Sequence, residues 1–351
     1  NNFLKNRMED LYSKNPDDSS KIILRNLFRF TSWSIFILTL IFLINNYLIF
    51  WHEWPGLLNF FKNMEWFGLQ PLRQKLNDQN YIQGWIQFII LIFAIISIMI
   101  YSYINPRKNL RIDAQFFEQF AAYITRACFW AVLLVGIVDV VISFLRVEDL
   151  LMPLFGENVA KELGRSVYRG TFIHYPLVIL GFVIAIFVRT LGFTWLSLLV
   201  VIAEFQIVIS RFVYSYEQAF MGDLVRMWYA GLFLFASAYA LISEGHVRVD
   251  VFYTKFTKKR KAVSNSIGSM ILGIPLCLVI LGTGMWGKGS SLNSPLLSFE
   301  VYQQGFGMYV KYIMVGFLIV FALSMLVQFI GYFLSNVAII LDEEEIPQSV
   351  T

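Results

Sequence analysis

The amino-acid sequence predicts an all-α polytopic membrane protein with about eight transmembrane helices, and three observations carry that expectation. The chain has 351 residues, of which 57% are hydrophobic, 17% aromatic and only 15% charged, more apolar surface than a soluble core of this length buries. Apolar runs of roughly twenty residues recur along it, each long enough to cross a ~30 Å hydrocarbon layer as a helix. Lysine and arginine gather in alternate connections between those runs, as the positive-inside bias requires.

The same numbers narrow the function. A net charge of +4, with the cations at membrane edges rather than on one face, argues against nucleic acid as a partner. Cys128 and Cys277 both lie in apolar runs and read as small buried residues, not as a disulfide or metal site. Bis-histidine haem would need histidines within spans, yet His52 and His246 fall in connections and only His174 stands near a span, at its entrance. No phosphate loop, metal-spaced Cys/His cluster or nucleophile elbow is visible, so neither an enzyme nor a cofactor is expected.

Taken in order, residues 1–28 are polar and mixed in charge, without the short apolar core and cleavage site of a signal peptide, and the basic run Lys21, Arg25 and Arg29 leads into the first span. Residues 31–51 form the first span, bracketed by Trp33 and Trp51; Asn45 and Asn46 inside it require partners on a neighbouring helix. The connection to Asn80 holds Pro55, Pro71 and the amphipathic run LLNFFKNMEWFGL, expected to lie along the surface. The second span, 84–104, closes at the cationic turn Asn105-Pro106-Arg107-Lys108. A third span, about 121–145, contains Arg126 and Asp139, which are too far apart along one helix to pair with each other. The connection 146–170 mixes four basic with four acidic residues and suggests a short surface helix around Glu157–Val167. Span four begins near Phe172 with Pro176 in its first turns, where proline is tolerated, and a very short turn makes span five, about 194–214, its antiparallel neighbour.

Span six covers about 225–243. Span seven, about 264–286, carries Pro275 in its interior, which predicts a kink unless the freed carbonyl finds a partner. Span eight runs from about Lys311 to Leu341, and the acidic tail from Asp342 is expected to be disordered. With the N-terminus inside, the cytoplasmic connections hold 16 Lys plus Arg and the opposite set 8, which places both termini in the cytoplasm. Neither an internal repeat nor a matched pair of Gly/Pro-broken helices is apparent, so the chain does not read as a complete carrier.

The most informative stretch is 223–262. Its apolar helix runs into Gly245-His246-Val247-Arg248-Val249-Asp250 and then the cations Lys255, Lys258, Lys259, Arg260 and Lys261, which reach anionic headgroups. If extended, His246, Arg248 and Asp250 point one way and the valines the other. On spacing alone this is a membrane-hugging loop that sets orientation. The run WYAGLFLFASAYALISEGHVRVDVFY, the basic segment and SIGSMILGIPL also resemble the DctQ-type small membrane subunit of tripartite ATP-independent periplasmic (TRAP) transporters, in which a helix ends in a cytoplasmic G-H-[VI]-R-V-D motif. Arg211-Phe212 stands where the family often has Arg-Tyr. Asp223 is the nearest acid to the position where the family tends to place a glutamate.

The resemblance covers about 193–342, dividing the chain into an N-terminal membrane extension of about four helices (1–192), a DctQ-like four-helix core (193–342) and an acidic tail (343–351). It implies a scaffold subunit of a sodium-coupled importer in a bacterial inner membrane. The implied partners are a large elevator-type membrane subunit, a periplasmic substrate-binding protein delivering organic acids, and membrane lipids. Residues Gly245, His246, Arg248 and Asp250 would then hold the cytoplasmic loop against the chain's own helices or the partner. Glu204, near the middle of span five and on one face with Arg211, reads either as a coupling-ion or proton site or as a polar contact to a neighbouring helix or subunit. Two other functions remain open at this point: a structural subunit of a different membrane complex, and a self-sufficient carrier or channel.

Overall fold

The computed structural model describes residues 19–104, 106, 108–189, 193–242, 253–302 and 307–343. All regular structure among them is helical, and eight helices are long and apolar enough to cross a membrane. In chain order the elements are α1 (Ser19–His52), α2 (Gly56–Asn63), α3 (Asp78–Ile104), α4 (Leu110–Val147), α5 (Leu151–Phe155), α6 (Glu157–Leu163), α7 (Ser166–Phe187), α8 (Phe193–Val213), α9 (Ala219–Ile242), α10 (Lys258–Met285), α11 (Asn293–Ser298) and α12 (Lys311–Ile340). The chain packs as two compact units, one of residues 1–117, 249–275 and 329–351, the other of 118–248 and 276–328.

Several helices begin earlier than hydropathy places them. The third span starts at Leu110 rather than near 121, and the fourth at Ser166 rather than near Phe172. Helical hydrogen bonding continues through polar residues that a bilayer-length window leaves out. Pro176 therefore lies inside α7 instead of in its first turns. The structure accommodates it with a π-helical turn over Gly170–His174, and treats Pro275 in α10 the same way, with a π turn over Ser269–Gly273. Each wide turn contains the residue four before the proline, Phe172 or Ile271, whose carbonyl would otherwise meet the ring and lose its donor.

In the first unit, α1 and α3 pack side by side. Gln87 of α3 donates to Asn45 of α1 (3.0 Å) and accepts from the Gly56 amide (3.2 Å), giving a polar side chain within a span its partner. The amphipathic helix α2 does more than lie on a surface. Phe60 is fully buried, ringed by Trp66, Trp85 and Phe88, and sits so close to Gly84 that a β-carbon there would collide with the phenyl ring. A buried ionic cluster joins the start of α1 to the start of α4. Arg29 pairs with Asp113 at 2.7 Å and donates to the Lys108 carbonyl, Tyr101 donates to Asp113 at 2.6 Å, and Arg25 pairs with Glu343 at 2.6 Å.

The acidic tail is thus ordered at its beginning, contrary to the expectation from composition. Glu343 also accepts from the Leu110 amide at 2.8 Å, capping α4 with a carboxylate where the helix exposes unpaired N–H groups, and Asp342 pairs with Lys259 at 2.7 Å. Hydrogen bonding from Lys259 holds the Asp342 carboxyl below its usual range, whereas burial, outweighing Arg25, raises that of Glu343. Residues 344–351 lie outside the described residues.

In the second unit the core is an apolar cluster contributed by α4 (Phe129, Val132, Val135), α8 (Leu196, Ala203), α9 (Leu224, Met227, Trp228, Phe235) and the entry to α12 (Met308, Val310, Phe317). Close backbone approach is what sets its geometry. Gly181 of α7 lies against the α4 backbone so tightly that a β-carbon on it would stand 2.6 Å from the Ala131 nitrogen, and any larger residue would push the helices apart.

Candidate functional site

The densest buried chemistry is in the second unit and centres on Asp139 of α4, fully buried together with Ser143, Arg169, His174 and Tyr312. Its Oδ1 accepts from Arg169 Nη1 (2.9 Å) and His174 Nε2 (3.1 Å), and its Oδ2 from the Tyr309 amide (2.8 Å). Arg169 also donates from Nε to the Leu163 carbonyl (2.6 Å) and from Nη1 to the Ser143 hydroxyl (3.2 Å). Tyr312 lies 2.6 Å from His174 Nδ1. A hydrogen bond to the Asp139 carboxylate requires a proton on Nε2, which leaves Nδ1 to meet the Tyr312 hydroxyl.

The π turn brings Arg169 and His174 to one carboxylate. Five residues apart, they would diverge around an α-helix, but in a turn bonded i to i+5 they share a face. Gly170 lets Phe299 and Tyr312 close over that turn, where a β-carbon would strike the Phe299 ring.

The segment entering α12 is held at successive positions. Arg146 Nη2 donates to the Gly307 carbonyl (2.8 Å), the Met308 amide donates to Asp223 (3.0 Å) and the Tyr309 amide to Asp139. The guanidinium carbons of Arg146 and Arg169 lie 4.6 and 4.2 Å from the Tyr309 ring centre, and the Tyr309 hydroxyl donates to the Gly164 carbonyl at 2.9 Å. Nearby, Tyr216 donates to Glu148 at 2.6 Å; partial burial and this bond push its phenol up to about 12. With one carboxylate balancing one guanidinium and three donors converging on that carboxylate, the Asp139 cluster is a lock between its helices, although Arg169 Nη2 is buried without a hydrogen-bond partner among the described residues.

The residues singled out in the sequence fall in different places. Gly245, His246, Arg248 and Asp250 lie outside the described residues. Asp223 is buried in α9 and occupied by Met308 and Arg226 (3.2 Å). Glu204 is exposed at the midpoint of α8, and Arg211, also exposed, pairs with Glu217 at 3.4 Å rather than with it. Asp139 stood out only as a charge within a span, His174 only as a poor haem ligand, and Arg169 as one of several loop cations. Their mutual contact had no signal in spacing along the chain.

Eight apolar helices with paired internal charges define a polytopic all-α membrane protein. Residues 198–338, which span α8 to α12, match the family model of the DctQ component of tripartite ATP-independent periplasmic transporters, and an N-terminal extension precedes the matched region. That family is a transport component rather than an enzyme family. No curated protein and no solved structure matches the chain. Asp139, Arg146, Arg169 and His174 precede the matched region, whereas Asp223, Tyr309 and Tyr312 lie within it. The ion pair therefore precedes the matched region, which contributes the Tyr309 amide and the Tyr312 hydroxyl to it.

Proposed function

We propose that this chain is the small, stationary subunit of a sodium-coupled TRAP importer in a bacterial inner membrane, with both termini cytoplasmic. It supports a larger elevator-type membrane subunit and helps receive a periplasmic binding protein that delivers an organic acid. An elevator needs a wall that does not yield, and a buried ion pair in the extension, hydrogen-bonded to Tyr309 and Tyr312 of the matched region, suits such a wall. On this reading residues 1–192 widen the frame around the 193–342 core. Gly245, His246, Arg248 and Asp250 pin the cytoplasmic loop to the chain's own helices or to the partner, not to substrate.

The observation that carries the reading is Glu204. Helix α8 is the least enclosed of the eight spans, with few of its residues buried, whereas about half of those in the apolar stretch of α4 are. It packs through Leu196 and Ala203 and leaves Val201, Phe205, Val208 and Phe212 outward. Its 21 residues are about 31 Å long, so Glu204 stands near the bilayer midplane, where an ionisable group facing lipid costs roughly 2–3 kcal/mol or more. No described residue pairs with it. A donor on a helix of another chain resolves that cost, which makes this face the seat of the large subunit.

The test is co-purification. Glu204→Leu should weaken capture of the large subunit by roughly 3- to 18-fold, the range of one interhelical hydrogen bond of about 0.6–1.7 kcal/mol, while leaving the isolated chain as stable as before or more so. Glu204→Gln should retain most of the capture. Undiminished capture by Glu204→Leu, or a folding defect in the lone chain, would count against the placement. Sodium-driven uptake by the chain reconstituted alone would overturn the scaffold role.

A further inference from the structure

An open groove of about 550 Å³ in the first unit lies along the first turns of α10, with Lys259 and Arg260 at one end, Val263, Ile267 and Ile340 along its wall, and Phe256 also lining it. We infer that it is a binding site for one anionic phospholipid, whose phosphate sits between the two cations and whose acyl chain lies on the aliphatic wall.

The register of α10 sets out the order of contacts. Lys259, Val263 and Ile267 follow at intervals of four and so share a face. Val263 and Ile267 lie about 6 and 12 Å further along the helix than Lys259. Lys258 to Arg260 open a helix that continues as a membrane span, so the cations stand at headgroup depth and the aliphatic residues below them, in the acyl region. Val263 and Ile267 are 43% and 53% exposed, an apolar wall left uncovered by the chain itself. Charge complementarity selects an anionic occupant. Asp342 engages Lys259, while no carboxylate pairs with Arg260 among the described residues, so the rim keeps a surplus positive charge at Arg260. A soluble anion would satisfy the rim but leave the wall bare; an acyl chain alone would do the reverse. Only a molecule with both parts at this spacing covers the groove.

Native mass spectrometry of the full chain in mild detergent, titrated with phosphatidylglycerol or phosphatidylcholine, tests the assignment. Phosphatidylglycerol should be retained in preference to phosphatidylcholine. Arg260→Gln, whose side chain pairs with no carboxylate among the described residues, should weaken retention roughly fivefold, and Lys259→Gln with Arg260→Gln by about 25-fold, since each cation near an anionic headgroup is worth about that factor. Val263→Trp, which fills the wall without altering charge, should weaken it too. A photoreactive residue at position 267 in native membranes should capture lipid. Equal retention of the two lipids, undiminished binding by the double variant, binding of inorganic phosphate as tight as that of the lipid, or capture of a polypeptide at 267 would each overturn the proposal. All of these read lipid directly, so the outcome stands apart from whether the chain serves a transporter.

Discussion

Replacing Asp139 by leucine removes the one carboxylate in a fully buried pair and leaves Arg169 charged, with only the Leu163 carbonyl and the Ser143 hydroxyl to receive its protons. The Tyr309 amide and His174 Nε2 lose their acceptor in the same step. Breaking a buried pair from one side costs about 3–5 kcal/mol, and the two stranded donors keep the loss toward the upper end of that range. Replacing both partners, Asp139→Leu with Arg169→Met, removes the unbalanced charge and fills the site with apolar volume. The double variant should recover to within about 2 kcal/mol of the parent, so the two changes should be strongly non-additive. Reversible denaturant unfolding of the full chain in mild detergent, run as a double-mutant cycle, gives each figure. A loss below about 1 kcal/mol for Asp139→Leu, or a double variant as unstable as the sum of the singles, would refute the lock.

Two further predictions concern the first unit. Phe60→Ala should cost about 3 kcal/mol or more and loosen α2, because a fully buried ring packed against Trp66, Trp85 and Gly84 leaves a cavity that those groups fill poorly; limited proteolysis after residue 63 would report the loosening. Burial raises the Glu343 carboxyl above its ordinary value, so between those two values the folded chain binds more protons than the unfolded one and loses stability as pH rises. Glu343→Gln lacks that slope, and its stability relative to the parent should improve as pH climbs through the window; the opposite trend in paired melting curves would show Arg25 winning over burial.

What could be read from the sequence was what is local. Helix number and length follow from hydropathy averaged over about twenty residues, because a bilayer demands that length and forbids unpaired backbone. The likeness to the DctQ component was legible for the same reason, since the GHVRVD stretch and its flanking apolar runs are contiguous. Asn45 required a neighbour, and the tertiary structure supplied Gln87, 42 positions on. Proline positions were visible, but not the π turns that precede Pro176 and Pro275, because a helix widens only where the residue four before the ring needs room.

The Asp139 cluster was decided by the tertiary structure alone. Its members are 30, 35 and 170 positions from the carboxylate, and a charge 30 residues away carries no mark of which partner it will meet. Arg169 reads as a loop cation until α7 is seen to begin at Ser166 and the wide turn rotates it onto the face of His174. Glu204 is the converse case. Its depth in the membrane follows from counting residues, but that α8 turns it outward while burying Ala203 depends on which face packs against α9, and packing is a property of the folded helices together.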